Sequence, residues 1–330
     1  MKIAVVILNW NGAKLLEQYL PSVIQNSAEA SVYVADNAST DNSVVFMKTH
    51  FPSVQLIENK ANFGFAQGYN EALQHINADI FALVNSDVEV TPNWLSPIIA
   101  AFEKNPQVAI VQPKILDYKN KERFEYAGAA GGFLDQYGYP FCRGRIFEAI
   151  EKDEHQYDDN CEIFWASGAC FFIRSSVFKA LGGFDTDFFA HQEEIDLCWR
   201  AFNKGHRVHY ISESVVYHVG GATLQHGNTQ KTFLNFRNSL LMLTKNLPKS
   251  ELYKILFIRL VLDGIAGIQF ILKGQFAHCL AIVRAHYTFF KVFSKNYRKR
   301  DKICFEKYYL VKSIVVAHYL QRKMTFKNLF

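Results

Sequence analysis

Three polar segments near the start of the chain each follow a short apolar run. They are NWNG at 9–12, DNASTD at 36–41 and NSD at 85–87. Asn, Asp and Ser commonly form turns and helix caps, and that explains any one segment taken alone. The carboxyl ends of parallel strands meet at one edge of a sheet, where ligands bind. Three such segments in succession therefore favour a shared ligand site over three unrelated turns.

Two of the candidate side chains suit a divalent metal. Mg²⁺ and Mn²⁺ are commonly bound by few protein carboxylates, with the remaining oxygens supplied by a diphosphate, and Asp87 offers such a carboxylate. His218 ends another strand-like stretch and offers a second ligand, although a lone histidine is more often a structural residue. Asp36 is placed to accept a hydrogen bond from a nucleobase or ribose. Asn9 and Asn62 would add contacts from adjoining loops.

A second acidic focus is formed by Glu193 and Glu194, at the start of a predicted helix. The helix dipole stabilises anions there by about 0.3–1 kcal/mol, so a purely structural role stays open. Adjacent acids on a helix point in different directions, and one of them would face the cleft while the other contacts a partner. A carboxylate aimed at a hydroxyl group is a general base, which contributes about 10²–10⁴-fold to a rate.

Short Val/Ile/Leu-rich strands alternate with helices through residue 115. The predicted strands are 3–8, 31–36, 54–59, 80–85 and 108–113, and the predicted helices are 13–25, 44–50, 66–75 and 92–104. Near-continuous apolar strands separated by helices indicate an α/β fold with a mostly parallel central sheet covered on both faces.

The pattern after residue 115 is less regular. Residues 117–165 are left unassigned, as a loop or flap over the site. A strand, a helix and a glycine stop are predicted over 165–184, and a strand pair over 207–221. The helix predicted over 191–205 carries Asp196 and Arg200 four residues apart as an ion pair and ends at Gly205, while its neighbours 185–190 are left open.

The composition is that of a folded protein in a reducing compartment. Hydrophobic residues make up 49% of the chain and charged residues 20%, as in globular proteins. The six cysteines are scattered with no CxxC pair, which predicts reduced thiols rather than a zinc site or a disulfide framework. The N-terminal MKIAVVILNWNG is too short and too poorly flanked for a secretory signal and suits a first β-strand.

The net charge of +5 conceals a division of the chain. Residues 1–230 hold 17 Lys and Arg against 27 Asp and Glu, a balance of −10. Residues 231–330 hold 19 against 4, a balance of +15. A break in charge this sharp indicates a change of domain and of task.

The basic region contains three aromatic stretches, at 252–273, 276–293 and 308–320. We predict amphipathic helices on the cytoplasmic face of a membrane, attracted by anionic headgroups. The first approaches the length of a membrane span, but Arg259 and Asp263 would each cost about 2.5–3.5 kcal/mol at the bilayer centre and are expected to pair. The alternative is a helical subdomain packed on the rest of the chain. Nucleic-acid binding is not expected, because no recognised binding fold is present.

Seven segments occur in an order and spacing that resemble a known family. They are ILNWNG, VADNASTDNS, NFGFAQGYN, ALVNSDVEV, WASGACFFIR, FFAHQEEIDLCWRAFNKG and VVYHVGG. Together they resemble the inverting family 2 glycosyltransferases with a GT-A fold, in particular the rhamnosyltransferase-like branch. The resemblance implies a catalytic domain over 1–240, with a nucleotide-binding half over 1–115 and an acceptor half over 116–240, followed by a basic helical region over 241–330. Dehydrogenase and P-loop functions lose support, because the sequence has neither GxGxxG nor GxxxxGK[ST].

The resemblance also implies a set of site residues. Asp87 stands in the DxD-like motif, with Asn85 in place of the first Asp, and would bind Mg²⁺ or Mn²⁺ together with His218. Glu194 takes the position of the usual catalytic Asp, one methylene longer, and Glu193 stands beside it. The donor-binding positions are Asn9, Asn11, Asp36, Asn37, Ser39, Asn62, Gly64, Asn85, Ser86, Trp165, Gly168 and Ala169.

The expected function is a hexosyl- or rhamnosyltransferase on the inner face of the cell membrane. It would move sugar from a dTDP-, UDP- or GDP-sugar to a lipid-linked oligosaccharide or polysaccharide. One alternative is a catalytically silent glycan-binding or scaffold protein with the same fold. Another is a nucleotidyltransferase, which would need a Gly/Arg-rich first loop that NWNG at 9–12 does not provide.

Overall fold

The computed structural model describes residues 1–220, 228–301, 305 and 307–330. Its strands are β1 (Ile3–Asn9), β2 (Ala30–Asp36), β3 (Gln55–Glu58), β4 (Ile80–Asn85), β5 (Val88–Val90), β6 (Val108–Asp117), β7 (Gly132–Leu134), β8 (Pro140–Cys142), β9 (Arg145–Ile146), β10 (Ala149–Ile150), β11 (Cys161–Ile163), β12 (Cys170–Arg174) and β13 (Arg207–His218). Its α-helices are α1 (Ala13–Asn26), α2 (Ser43–His50), α3 (Gly64–Leu73), α4 (Ser96–Lys104), α5 (Ser175–Ala180), α6 (Glu193–Asn203), α7 (Thr229–Asn246), α8 (Leu252–Leu272) and α9 (Phe276–Tyr297).

Within the described residues, nine strands form one mixed sheet in the order β11-β13-β6-β12-β4-β1-β2-β3, with β5 paired to β13. The four strands β4, β1, β2 and β3 are parallel, and β13 is parallel to β6. β12 runs antiparallel between β4 and β6, and β5 and β11 run antiparallel to β13. The predicted α/β fold with a mostly parallel central sheet is confirmed.

The strands at the centre of the sheet are buried on both faces, as their apolar runs predict. In β1, Ala4 and Val6 join one hydrophobic cluster, whereas Val5 and Ile7 join the cluster on the opposite face. This alternation follows from the two-residue period of a strand. Packing on both faces fixes the position of the strand. It therefore also fixes the position of the polar residues that follow its carboxyl end.

Several predicted boundaries shift in the structure. The helix predicted from residue 92 begins at Ser96, and the helix predicted over 66–75 is α3 at Gly64–Leu73. The three-residue strand β5 was not predicted, because it is too short to show a period. Residues 117–165, left unassigned from the sequence, contain β7 to β10, which form a second sheet, and β11, which joins the main sheet.

The strand pair predicted over 207–221 is wrong. Arg207–His218 forms the single strand β13, and its register against β6 shifts between Ile211 and Val215. The polar residues Ser212, Glu213 and Ser214 suggest a turn in the sequence, but they form this irregularity within one strand. Residue 221 lies outside the described residues.

The helix predicted over 308–320 is confirmed only in its second half. Residues 314–320 are helical, and Val316–Leu320 form a short π-helix. The preceding residues instead pair with the second sheet, since Leu310 N donates to Leu134 O at 2.9 Å and Val311 bridges Asp135. Local amphipathic pattern is overridden here by tertiary backbone pairing.

The C-terminal helices pack on the rest of the molecule. Leu240, Leu252, Ile255 and Phe289 belong to the same hydrophobic cluster as the sheet residue Phe81. The division at residues 240 and 241 falls inside α7, which packs against both α6 and α9. The helical region is therefore joined to the first 240 residues by a continuous core.

A buried ionic network connects α6 to these helices. Lys245 Nζ lies 2.7 Å from Asp185 Oδ2 and 2.8 Å from Asp196 Oδ2. Asp196 also pairs with Arg200 at 2.8 Å, as predicted, and Lys299 reaches Asp185 at 2.5 Å. Although burial acts to raise it, the neighbouring Lys245 lowers the pKa of the Asp185 carboxyl below its ordinary value. Breaking such a network by removing one member is costly, about 3–5 kcal/mol.

The side of the α8–α9 pair turned away from the core is apolar. We call it the hairpin face. It consists of Tyr253, Phe257, Val261, Ile265, Ile268, Ile271, Leu272, Phe276, Leu280, Val283, Tyr287 and Phe290, all exposed. The opposite side of α8 carries the predicted Arg259–Asp263 pair, buried, with Arg259 Nε 3.7 Å from Asp263 Oδ1.

Within the described residues, five cysteines are free thiols, namely Cys142, Cys161, Cys170, Cys198 and Cys279. Cys304 lies outside the described residues.

Candidate active site

The turn after β4 brings Asp87 beside His218, which lies 131 positions further along the chain. β5 follows the turn and pairs with the end of β13, so that His218 is the partner of Val88. Asp87 Oδ1 lies 3.2 Å from His218 Nε2. On the other side of the ring, His218 Nδ1 lies 3.3 Å from Glu125 Oε1. All three ionisable side chains are buried.

The charges of this trio determine their protonation. Burial disfavours the imidazolium form of His218, but the carboxylates of Glu125 and Asp87 outweigh it and raise the His218 pKa to about 10. Burial likewise acts to raise the pKa of Asp87, but its hydrogen bond with His218 and the charge of that residue hold it below its ordinary value. The site thus contains an ionised carboxylate beside a charged imidazole, whose proton a bound metal would displace.

The arrangement of Asp87 and His218 fits two neighbouring ligands of one octahedral cation. Ligand atoms at about 2.1 Å from Mg²⁺ and at right angles stand about 3 Å apart, and the observed separation is 3.2 Å. In the described part of the chain, no group of three His, Cys, Asp or Glu side chains is arranged to hold a metal. Such a cation would take its other ligands from water or from a diphosphate. Glu125 stands where an outer partner orients a ligating histidine.

The predicted nucleotide-binding residues meet at the carboxyl ends of β1 and β2. Asn9 Nδ2 donates to Asp36 Oδ1 at 2.9 Å, and Ser39 Oγ donates to the same oxygen at 2.6 Å. Asp36 Oδ2 accepts from Ser39 N at 2.8 Å, and Asn11 N donates to Ser39 Oγ at 2.8 Å. We call Asn9, Asn11, Asp36 and Ser39 the nucleotide rim. Its members are linked because the parallel register sets Asn9 opposite Asp36.

A second group of predicted residues connects this rim to α3. Asn37 Nδ2 donates to Gly64 O at 2.9 Å, and Asn62 Oδ1 accepts from Gly64 N at 3.0 Å. Gly64 has φ +72°, and an added Cβ would stand 2.5 Å from Phe189 O. Phe65 N donates to that carbonyl at 2.9 Å. Glycine is required here because α3 begins in close contact with the segment before α6.

The residues that follow Phe189 lead into α6. Residues 191–194 carry the two glutamates, and we call them the catalytic turn. His191 has φ 70° and Gln192 has φ 73°, two consecutive non-glycine residues in the left-handed region. Glu193 and Glu194 then begin α6. Left-handed non-glycine residues carry backbone strain, which persists where surrounding contacts hold it and is concentrated at functional sites.

The catalytic turn leaves polar atoms without partners. His191 Nε2, Gln192 Oε1, Glu193 Oε2 and Glu194 Oε2 are buried and have no hydrogen-bond partner among the described residues. An unpaired buried polar atom costs about 1–3 kcal/mol. Four of them in consecutive residues are explained by a ligand that supplies the missing bonds.

Burial raises the pKa of both glutamates. The pKa of Glu194 rises to about 7, and that of Glu193 rises well above its ordinary value, with the charge of Glu194 adding to the effect of burial. Burial also lowers the pKa of His191 to about 4, so its ring is neutral. A carboxyl group with a pKa near 7 is well matched to accept a proton at neutral pH.

Gly168 lies beside Glu194. A Cβ built at Gly168 would be in ordinary contact with that side chain, 3.8 Å from Glu194 Cδ, and 3.4 Å from Phe65 Cζ. The carbonyl of the next residue, Ala169, accepts a hydrogen bond from Asn85 N at 2.9 Å, which ties this segment to the end of β4. Gly168 and Ala169 are thus close to Glu194 and to the end of β4.

The three remaining predicted donor-binding residues are Trp165, Ser86 and Asn85. Trp165 is buried, and its indole N–H donates to Phe133 O at 2.9 Å, so its polar atom is already engaged. Ser86 lies in the turn between β4 and β5, next to Asp87. Asn85, the last residue of β4, is placed chiefly by its backbone bond to Ala169.

Sequence reasoning missed two residues that support the site. Glu125 lies in the unassigned stretch and has no motif around it. Asn238, in α7, is buried and donates from Nδ2 to Ala190 O at 2.9 Å and to His191 O at 2.8 Å. These bonds hold the strained backbone before Glu193. The sequence gives no distinct signal for Asn238, which stands between the polar residues Arg237 and Ser239 in α7.

The chain matches the description "Glycosyl transferase family 2" over residues 4–182, more than half of its length. It belongs to glycosyltransferase family 2 and is a glycosyltransferase, as predicted.

Known proteins that resemble the chain agree with this assignment. It is 25% identical, over 65% of its length and 75% of the relative's, to the N-acetylglucosaminyl-diphospho-decaprenol L-rhamnosyltransferase of Mycobacterium tuberculosis. A crystal structure of GalNAc-T7 with UDP, GalNAc and Mn²⁺ superimposes with a TM-score of 0.59 and 17% identity, covering 76% of this chain and 48% of that one. The structure of the mannosyltransferase PcManGT from Pyrobaculum calidifontis in complex with GDP-Man and Mn²⁺ superimposes with a TM-score of 0.53 and 15% identity, covering 87% of this chain and 86% of that one. The fold is therefore GT-A.

Proposed function

We propose that the protein is an inverting glycosyltransferase that moves a sugar from a nucleoside-diphosphate donor to a hydroxyl group of a lipid-linked glycan. The observation that carries the proposal is Glu194, a carboxyl group with a pKa of about 7 that lies beside Gly168, where the absence of a side chain leaves room next to the carboxyl group. That position suits a base acting on an acceptor hydroxyl. The named rhamnosyltransferase relative supports a lipid-linked acceptor and makes rhamnose the first donor sugar to test.

The reaction uses one carboxylate as a base. Glu194 accepts the proton of the acceptor hydroxyl group. As that proton leaves, the acceptor oxygen bonds to the anomeric carbon of the donor. The bond from that carbon to the diphosphate oxygen breaks on the opposite face, and its electron pair leaves with the nucleoside diphosphate. Attack opposite the leaving group inverts the anomeric centre. Glu193 is the more deeply buried of the two; burial raises its pKa well above the ordinary value and favours the protonated form, which is a hydrogen-bond donor.

Asp87 and His218 would hold a divalent cation, Mg²⁺ or Mn²⁺, which stabilises the charge that develops on the departing diphosphate. Glu125 holds the His218 ring in place from its other nitrogen. Asn9, Asp36 and Ser39 form a prearranged surface for the base and ribose of the donor. The Mn²⁺ named with both GT-A structures supports a divalent cation for this chain without selecting between the two metals.

Residues of the strained segment recognise the acceptor. His191 and Gln192 present unpaired buried atoms beside the glutamates, and an acceptor with several hydroxyl groups would satisfy them. The glycan is assembled at the inner face of the cytoplasmic membrane, where lipid-linked acceptors and nucleotide sugars meet.

The test is a panel of dTDP-, UDP- and GDP-sugars with Mn²⁺ or Mg²⁺, assayed by release of the nucleoside diphosphate. A matching donor should be hydrolysed slowly alone and consumed faster with a diphospholipid-linked N-acetylglucosamine acceptor. The product linkage, read by NMR, should have the anomeric configuration opposite to that of the donor. Retention of configuration would contradict the mechanism, and a protein that binds glycans but consumes no donor would be the silent scaffold.

A further inference from the structure

The hairpin face gathers twelve exposed large hydrophobic side chains on two neighbouring helices. On α8 its exposed members recur every three or four residues from Tyr253 to Leu272, and on α9 they continue from Phe276 to Phe290. This spacing puts them on one side of each helix. Exposed apolar patches of this extent mark a surface that something covers.

The charge around the hairpin face is mostly positive. The sequence of residues 252–297 contains a single acid, Asp263, and that residue is buried against the core side of α8. Lys254, Arg284 and Lys291 are exposed on the same two helices and Lys273 directly after α8, while Glu251 at the N-cap of α8 pairs with Lys254 at 3.7 Å. Lys291 Nζ lies 4.5 Å from the centre of the Tyr287 ring, so its stem runs along the apolar surface while its charge stays at the edge.

These two observations identify the occupant. A second copy of the chain on this face would set its lysines and arginine against the same cations of the first copy. An anionic bilayer instead offers hydrocarbon to the apolar side chains and negative headgroups to the basic edge. We infer that the hairpin face is a docking surface for an anionic lipid bilayer, on which α8 and α9 lie in the plane of the membrane.

The inner side of α8 explains why the helix lies flat rather than spanning. Among the described helices, α8 alone has the length and apolar composition to cross a bilayer. Its inner side is nevertheless bound to the protein, since Arg259 donates to Tyr137 O and to Ser239 Oγ, both at 2.9 Å. Asp263 Oδ2 lies 3.1 Å from His286 Nε2 on α9. A spanning α8 would have to break these buried polar contacts.

α7 links the helices of the docking surface to the proposed base. It packs against the inner side of the α8–α9 pair and also holds the catalytic turn through Asn238. The docking surface adds to the proposed function, because a lipid-linked acceptor would present its sugar to Glu194 from the same membrane surface. In that respect the inference rests on the proposed function.

Vesicle flotation of the full-length protein tests the inference. Vesicles of phosphatidylcholine are compared with vesicles of phosphatidylcholine and phosphatidylglycerol. We expect flotation with the second kind and at least about tenfold weaker binding by the double variant Phe257→Ser/Ile265→Ser, given the apolar area it removes from the bilayer. Val45→Ser on α2 is the matched control, because Val45 is 67% exposed and Phe257 is 68% exposed. It should float like the unmodified protein.

The charge-reversal variant Lys273→Glu/Lys291→Glu should float less with the anionic vesicles. Its binding to the neutral vesicles should equal that of the unmodified protein. No flotation with either vesicle, or equal flotation of the double variant, would overturn the inference. So would a dimer in sedimentation without lipid that the double variant makes monomeric, since a second copy would then cover the face.

Donor turnover separates this inference from the proposed function. The double variant should retain donor hydrolysis and transfer to a short-chain, water-soluble acceptor, because its two positions are exposed and lie outside the cleft. A protein that turns over donor but does not float would leave the proposed function intact and refute the docking surface. A protein that floats but consumes no donor would support the docking surface and refute the proposed function.

Discussion

At the nucleotide rim, Asn9, Asp36 and Ser39 bond one another, whereas in the catalytic turn Glu193 and Glu194 each keep a buried oxygen without a partner among the described residues. Apart from Asn9 Oδ1, which is buried and unpaired among the described residues, the first region has these polar atoms bonded to one another before any ligand arrives. The second region has them buried and unpaired.

This difference indicates two kinds of binding surface. A prearranged rim loses little free energy on binding, because its side chains are already fixed. An unpaired, strained turn stores free energy that a ligand with matching hydroxyl groups releases, and burial also sets the pKa that a base needs. Changes to the turn should therefore affect turnover, and changes to the rim should affect donor affinity.

The largest effect is expected at Asp87, the proposed metal ligand. Asp87→Ala should reduce transfer by about three orders of magnitude or more, because the leaving diphosphate loses its metal-borne stabilisation. The measurement is metal-dependent release of nucleoside diphosphate, with folding checked by circular dichroism. Asp79→Ala, at the opposite end of β4, is the matched control and should stay active. Near-normal turnover by Asp87→Ala would remove the cation from the mechanism.

Glu194→Gln should lower kcat by about 10²–10⁴-fold while the donor dissociation constant changes little, because the amide keeps the shape but accepts no proton. Steady-state kinetics and donor titration separate the two quantities. Glu193→Gln is the comparison variant, and it should be the less impaired of the two. If Glu193→Gln proves the crippled enzyme, the base has been assigned to the wrong carboxylate.

The pH profile is the next test of the catalytic turn. The base acts when ionised, and burial raises the pKa of Glu194 to about 7. We expect kcat to fall about tenfold per unit as the pH drops below 7 and to level off above it. The profile is measured at saturating donor and acceptor. A rate that stays flat between pH 5 and 7 would contradict a base with a raised pKa.

The smallest effect is expected at the nucleotide rim. Asp36→Asn should raise the donor KM by about tenfold, since one hydrogen bond to a charged group contributes about 1.5–3 kcal/mol. Its kcat should stay close to that of the unmodified enzyme. A selective loss of kcat in this variant would mean that the rim and the turn do not divide binding from chemistry.

Much of the framework can be predicted from the sequence. The runs IAVVIL and IFALVN form β1 and β4 because strands buried on both faces need apolar residues at every position. The Asp196–Arg200 pair and the positive φ of Gly205 at the end of α6 are likewise as predicted. These features depend on local pattern, which a sequence displays directly.

The remaining parts depend on contacts that no local pattern carries. Glu125 reaches His218 from a stretch without periodicity, and Ser212 to Ser214 form an irregularity in β13 where their polarity suggests a turn. The left-handed backbone of His191 and Gln192 is held by Asn238, 46 or more positions later in the chain. Such geometry is set by tertiary packing, so the sequence names the glutamates but not the strain beside them.

The buried lysine network has a practical consequence for preparing the enzyme. Because Lys245 and Lys299 neutralise Asp185 and Asp196 beside the base helix, removing the C-terminal helices to gain solubility would leave carboxylates stranded inside the protein. Their repulsion would loosen α6 and with it the alignment of Glu194. A water-soluble form is better sought by replacing outward apolar residues of α8 and α9 one at a time, with every helix kept.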